Sequence, residues 1–300
     1  MSRESLLLLA ALLSAAVALV VTLRGSKFRW LPTATNYRGR LLRVVLGIAV
    51  TAGVVVGSLA VLMGDLRRAR ILPTIEGTLQ ILVAIAMVFI AGLFDDRQPH
   101  LVRGVTAHVR ALARGTFTSG ILKMVAILLA ATVVVDATRG LSLGVLVGIP
   151  FIAGTANVWN LLDVAPGRSI KFFLLATIGI LAATVLLGLC VTCGFSVFLI
   201  MGLAAALVAL PFDLRESAML GDGGSNVLGF LVGAGLFLRL STTWLWIGLG
   251  AVLALTLLAE TFTLSRIIRA APLRWFDDLG RVRPGAPVSS PSEKAHPADG

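Results

Sequence analysis

The chain is 300 residues long, 57% hydrophobic and only 14% charged, with a mean hydropathy of +0.96. That composition excludes an ordinary soluble domain. Its net charge of +11 would suit a nucleic-acid binder if the basic residues formed one patch, but they fall in alternate loops between apolar runs, where membrane lipids rather than nucleic acid are the expected partner.

Nine apolar runs follow one another along the chain, at roughly 5–23, 41–63, 77–94, 119–137, 140–158, 170–189, 191–210, 224–238 and 243–265. Most are about 18 to 23 residues, long enough to cross a bilayer as helices. The eighth is the shortest. The runs are continuously apolar rather than alternating, which argues against a β-barrel. The expected fold is therefore all-α, a polytopic transmembrane helix bundle of about nine to ten helices. The first run ends at Leu23-Arg24 without a small-residue cleavage pattern, so it reads as an uncleaved first helix. Residues 1–283 form one integral-membrane domain, and the Pro-, Ser- and Ala-rich stretch 284–300 is expected to be a disordered cytoplasmic tail.

Basic residues set the orientation. Arg24, Lys27, Arg29, Arg38, Arg40, Arg43, Arg97, Arg103, Arg110, Arg114, Arg168, Lys171, Arg215, Arg266, Arg269, Arg274, Arg281 and Arg283 share one side. The other side holds Arg3, Arg67, Arg68, Arg70, Arg139 and Arg239. The positive-inside rule places the richer side in the cytoplasm and the N-terminus outside. Cys190 and Cys193 form a C-x-x-C at the expected outer turn between helices six and seven. With no second pair or neighbouring His, they read as small apolar residues at a helix end rather than a redox or metal motif. Trp159 and Trp275, like Trp244 and Trp246, are expected interface anchors.

Only fifteen Asp and Glu are present, and the topology gathers the informative ones on one face. Asp95 and Asp96 close the third run. Asp163 follows the fifth, and Asp213, Glu216 and Asp222 lie between the seventh and eighth. An acid at the bilayer centre costs about 2.5–3.5 kcal/mol, so helix ends are the cheap positions for each one singly. Three clusters on one face call for more. Mg²⁺ takes one or two protein carboxylates and completes its octahedron with phosphate oxygens and water. Gly221-Asp222-Gly223-Gly224-Ser225 reads as a turn into helix eight whose N–H groups can face an anion. Asn157 and Asn160 share a helical face, with Asp163 continuing the spacing if the helix persists. Lys123, one turn into helix four, can reach the same surface and pair with phosphate. Glu260, inside helix nine, is expected to pair with Arg266 or another bundle residue.

These residues resemble the motifs of the polyprenyl-phosphate N-acetylhexosamine-1-phosphate transferases, the family of phospho-N-acetylmuramoyl-pentapeptide transferase and its N-acetylglucosamine-1-phosphate relatives. The Asp95-Asp96 pair, the Asn157/Asn160/Asp163 element, Pro211-Phe212-Asp213 and Leu220-Gly221-Asp222-Gly223-Gly224-Ser225 occur in the family's order. Asn36-Tyr37-Arg38-Gly39-Arg40 is similar to its loop after the first helix. The resemblance implies transfer of a sugar 1-phosphate from a UDP-sugar to undecaprenyl phosphate with release of UMP, in a bacterial plasma membrane, with Mg²⁺ or alternatively Mn²⁺. It implies that Asp222 is the metal ligand and that Asp95, Asp96 and Asp163 are catalytic. Lys123, Asn157, Asn160, Gly221 and Ser225 would bind substrate, and a homodimer is compatible with it.

Two features depart from the family pattern. The second motif continues Asp163-Val164-Ala165-Pro166-Gly167, without the usual second Asp. Where a His-rich loop is expected stands Pro272-Leu273-Arg274-Trp275-Phe276-Asp277-Asp278-Leu279-Gly280-Arg281, and the only histidines are His100, His108 and His296. Arg274 and Arg281 are the cations available in its place. The departures motivate a second function class, a non-catalytic relative that binds polyprenyl phosphate or partner enzymes. A third, a lipid transporter, would want charge at the midplane and an internal repeat, neither of which the sequence offers.

Overall fold

The computed structural model describes residues 2–25, 27, 30–36, 38–68, 74–98, 104–261 and 273–281. Tyr37, His100, Arg103, Arg266, Arg269, Pro272, His296 and the expected tail 284–300 lie outside them, as do the side chains of Arg67, Arg68 and Glu260. In chain order the elements are α1 (Arg3–Gly25), β1 (Thr33–Thr35), β2 (Leu41–Arg43), α2 (Leu46–Arg68), α3 (Ile75–Asp95), α4 (Val105–Ala113), α5 (Ser119–Arg139) and α6 (Gly148–Leu162). They continue with α7 (Arg168–Leu186), α8 (Ser196–Leu214), α9 (Gly221–Phe237), α10 (Thr242–Thr261) and α11 (Leu273–Asp278).

Seven of these helices, α1, α2, α3, α5, α7, α8 and α10, are long and apolar enough to cross a membrane, the build of a multi-pass helical membrane protein. Among the described residues that measure finds seven and leaves the expected nine to ten spans unconfirmed. At ~1.5 Å per residue, the 15 residues of α6 and 17 of α9 fall short of a hydrocarbon core ~30 Å thick. α9 lies inside the bundle, and α6 packs along it with about half of its residues buried. In α9 every residue except Asp222 and Leu236 is buried.

Several run boundaries shift for local reasons. The second run begins not as helix but as β2, which pairs antiparallel with β1, Thr33 opposite Arg43 and Thr35 opposite Leu41. The fifth run loses residues 140–147 to a turn and gains residues to Leu162, so Asn157 and Asn160 both sit within α6. Gly221–Ser225 is not a turn before the helix but the first turn of α9 itself. The C-x-x-C is a disulfide, Cys190 to Cys193, between α7 and α8, correcting the reading of two unpaired small residues. Trp244, Trp246 and Trp275 are exposed, whereas Trp159 packs against the core.

Small residues let α9 sit at the centre. A Cβ on Gly92 of α3 would lie 2.6 Å from Gly223 Cα, and one on Gly224 would lie 2.5 Å from Gly47 Cα of α2. Deeper in the bundle, Gly229 and Gly233 bring α9 against Ala156 and Ile152 of α6, a small-xxx-small contact in which dispersion replaces the hydrophobic drive that lipid cannot supply. Each approach includes a facing backbone atom that cannot yield, beside the Leu220 side chain at Gly224 and that of Trp159 at Gly229. Gly224→Ala is therefore expected to cost about 1–3 kcal/mol, read as a lower unfolding temperature in detergent. Gly250→Ala, where a Cβ meets open space, serves as the neutral control.

A short polar platform covers the end of the bundle where α3 stops and α9 starts. Asn36 Oδ1 accepts the N–H groups of Arg38 (3.0 Å) and Arg40 (2.9 Å), while its amide donates to Glu216 Oε2 at 2.7 Å. Arg38 pairs with the other Glu216 oxygen at 3.2 Å. Met219 N–H reaches Arg43 O and Leu46 N–H reaches Met219 O, so the end of β2 and the start of α2 together hold the α8–α9 loop.

Candidate functional site

Four helix ends converge beside this platform. The α3 C-terminus brings Asp95 and Asp96. The α5 N-terminus, capped by Thr118 accepting Ile121 N–H, brings Ser119 and Lys123. The α6 C-terminus brings Asn160 and Asp163, and the α9 N-terminus brings Asp222 and Ser225.

Lys123 Nζ donates to both Asp95 Oδ2 and Asp222 Oδ2. Asn160 Nδ2 stands 3.4 Å from Asp222 Oδ2, and its carbonyl oxygen is 3.0 Å from the Ser225 hydroxyl. Asp96 accepts Asp222 N–H at 2.9 Å and Gly223 N–H at 3.2 Å, and the Gly221 N–H favours the charged form of Asp163. Two first-turn donors of α9 are therefore met by the protein's own Asp96 carboxylate. The expectation of N–H groups offered to a substrate anion gives way to a cap by Asp96 with Asp163 beside it, which is how a buried helix start satisfies its orphan donors.

No protein-family model matches the chain, and no curated protein does. What the site can do follows from its own geometry. Burial, then the Asp222 carboxylate beside it, pushes Asp96 up to about 7 against the pull of its two backbone donors. Burial also raises Asp163 well above the usual carboxylate range, with Asp213, Asp222 and Asp96 adding to it. The cluster is thus short of positive charge, with Lys123 its central cation.

Among the described residues, no group of three or more His, Cys, Asp or Glu side chains is set to chelate a metal unaided. Mg²⁺ needs less when phosphate comes with it. Asp222 and Asp95, bonded to one ammonium from two sides, supply two oxygen donors, and Asp222 retains 24% of its side-chain exposure. That donor set fits a hard divalent cation that arrives with a phosphate.

The remaining predicted residues divide. Asn157 turns to α10, donating to Thr256 Oγ1 at 3.3 Å, and so leaves the network that Asn160 joins. Gly221, at φ +69°, would set a Cβ 2.2 Å from Val44 and 2.8 Å from Asp96, so it admits no side chain. Asp213 accepts Gly167 N–H at 2.8 Å and caps α7. With Glu216, Asp163, Asn36, Pro166 and Thr35 it lines a cavity of about 380 Å³ next to the Asp222 cluster.

Sequence reasoning missed the C-terminal clamp. Arg168, 1% exposed, makes a bidentate pair with Asp277 at 2.8 Å on both sides. Lys171 donates to the carbonyls of Phe276, Asp277 and Leu279. Arg281 bonds Asp277 and Pro166 O, whereas Arg274 is exposed and meets only a loose 3.5 Å partner in Asp278. Of the two arginines standing where histidines were expected, one is built into this clamp and the other faces outward. Arg168 and Asp277 lie 109 positions apart, so no local pattern links them.

Burial works against ionisation of Asp277, but Arg168 and then Arg281 outweigh it and hold the carboxyl below its usual range. Its stabilisation is complete above the ordinary carboxylate pKa and is lost as pH falls through the lowered value. Asp277→Ala is expected to cost about 3–5 kcal/mol by stranding a buried guanidinium. Thermal unfolding in detergent measures this, and Arg168→Met/Asp277→Leu should recover much of the loss.

Proposed function

We propose that this chain is an integral-membrane enzyme that transfers a sugar 1-phosphate from a UDP-sugar to undecaprenyl phosphate and releases UMP, with the acidic end of the bundle in the cytosol of a bacterial cell. The observation that carries this reading is the meeting of Asp95, Asp222 and Lys123, from three different helices, at one membrane-facing end. Sidedness draws on the basic loops at that end and on the disulfide at the other, which suits an oxidising compartment. In the reaction, an oxygen of the lipid phosphate bonds to the phosphorus carrying the sugar, the pyrophosphate P–O bond breaks, and UMP leaves.

A divalent cation held by Asp222 and Asp95 would neutralise the diphosphate. Lys123, released from one carboxylate as phosphate arrives, balances charge on the transferring phosphoryl group. Asn160 and Ser225 hold the Asp222 side in place. Asp96 and Asp163 act on position, fixing the first turn of α9 through its N–H groups. Their commitment as caps also favours a second reading, a non-catalytic polyprenyl-phosphate binder. Purified protein with Mg²⁺, undecaprenyl phosphate and a panel of UDP-sugars separates the two. UMP release that chelation abolishes supports the enzyme, while lipid binding without UMP from any donor supports the binder.

A further inference from the structure

The loop expected between the third and fourth runs contains α4, a helix in which no residue is buried. Val105, Val109 and Leu112 follow the i, i+4, i+7 spacing of one helical edge, and Val109, Leu112 and the following Phe117 are 49%, 46% and 64% exposed. Arg110 and Arg114 lie on the other side and are exposed as well. From Gly104 to Thr118 there is no acidic residue. The helix is nevertheless fixed to the bundle: His108 Nδ1 is 2.8 Å from the Thr118 hydroxyl, and its ring lies over Gly120, where a Cβ would sit 2.4 Å away.

Apolar side chains on one edge, arginines on the other and no acids are the pattern of a helix lying in a headgroup layer. Charge selects the anionic leaflet over a neutral surface. Position agrees, because α3 ends and α5 begins at the same bundle end, and α4 is only ~14 Å long at 1.5 Å per residue. Arginine stems are long enough to keep guanidinium groups among phosphates while the helix sits lower.

We propose that α4 and Phe117 form an interfacial anchor for the anionic leaflet at the acidic end of the bundle. Val109, Leu112 and Phe117 enter the acyl boundary, and Arg110 and Arg114 engage lipid phosphates. Through Thr118, which caps α5, the anchor sets the height of the turn bearing Ser119 and Lys123. The inference goes beyond the proposed reaction and rests only on the sidedness given above.

The test uses the full chain in phosphatidylcholine vesicles with and without phosphatidylglycerol, the native cysteines being tied in their disulfide. An environment-sensitive label at Val109→Cys is expected to be quenched by lipids brominated on the acyl chain, and one at Thr106→Cys by aqueous iodide. Arg110→Gln/Arg114→Gln should reduce docking on the order of tenfold in anionic vesicles and little in neutral ones. Equal iodide quenching at both positions overturns the proposal, as does the same depth in both vesicle types. Shielding of residue 109 that appears only at high protein density overturns it in favour of a second copy. UMP release measured on the same samples tests the transferase reading separately, since docking without activity leaves the anchor standing.

Discussion

Asp222→Asn is expected to lower UMP release on the order of 10³-fold while leaving the unfolding temperature in detergent close to that of the parent protein. The substitution keeps the side chain's shape and one oxygen for Lys123 and Asn160, so the network survives. The negative charge needed by a phosphate-bound divalent cation is lost. Asp96→Asn predicts the opposite balance. Its carboxylate accepts two N–H groups at the start of α9, and an amide can accept with only one of its two terminal atoms. The expected loss is about 0.5–2 kcal/mol of stability, in the range of a removed helix cap, with a smaller effect on turnover. Parallel measurement of kcat and unfolding temperature distinguishes the two residues. If Asp222→Asn retains full UMP release, the assignment of Asp222 is wrong.

The contrast between these two aspartates also marks what the sequence can and cannot convey. Run length and loop charge are additive, local properties, and they place Asp95, Asp96, Asp163 and Asp222 at helix ends without knowledge of any contact. Whether a carboxylate faces a ligand or a neighbouring backbone is decided by partners distant in sequence, such as Asp96 and Gly223 at a separation of 127. The same limit explains the misread start of α9. Glycine and aspartate have poor helix propensity, so Gly221–Gly224 looks like a turn, but close packing on Gly92 and Gly47 requires small residues in a helix there. The length criterion fails for α9 because a helix buried among others need not match the bilayer. The Gly229/Gly233 spacing, which the reading of apolar runs passed over, is the pattern that accompanies that burial. Nothing in the sequence linked Arg168 to Asp277.

Lys123→Met is expected to have the second large effect, and its direction depends on what else is present. Lys123 has 14% of its side chain exposed, between Asp95 at 9% and Asp222 at 24%. Removing the ammonium leaves two facing carboxylates without their shared partner, a loss of about 3–5 kcal/mol for a broken buried pair. Unfolding temperature in detergent should fall accordingly. Adding Asp95→Asn should restore part of it, because the remaining repulsion is removed, and the resulting coupling in a double-mutant cycle is expected at about 0.5–3 kcal/mol. Millimolar Mg²⁺ should then stabilise Lys123→Met more than the parent protein, since a divalent cation can take the place between the carboxylates that the ammonium held. Equal stabilisation of both proteins by Mg²⁺ would mean that Asp95 and Asp222 do not hold a divalent cation between them. UMP release should stay low in the variant even with Mg²⁺ restored, because the metal supplies charge between the carboxylates but not the mobile ammonium that meets the transferring phosphoryl group.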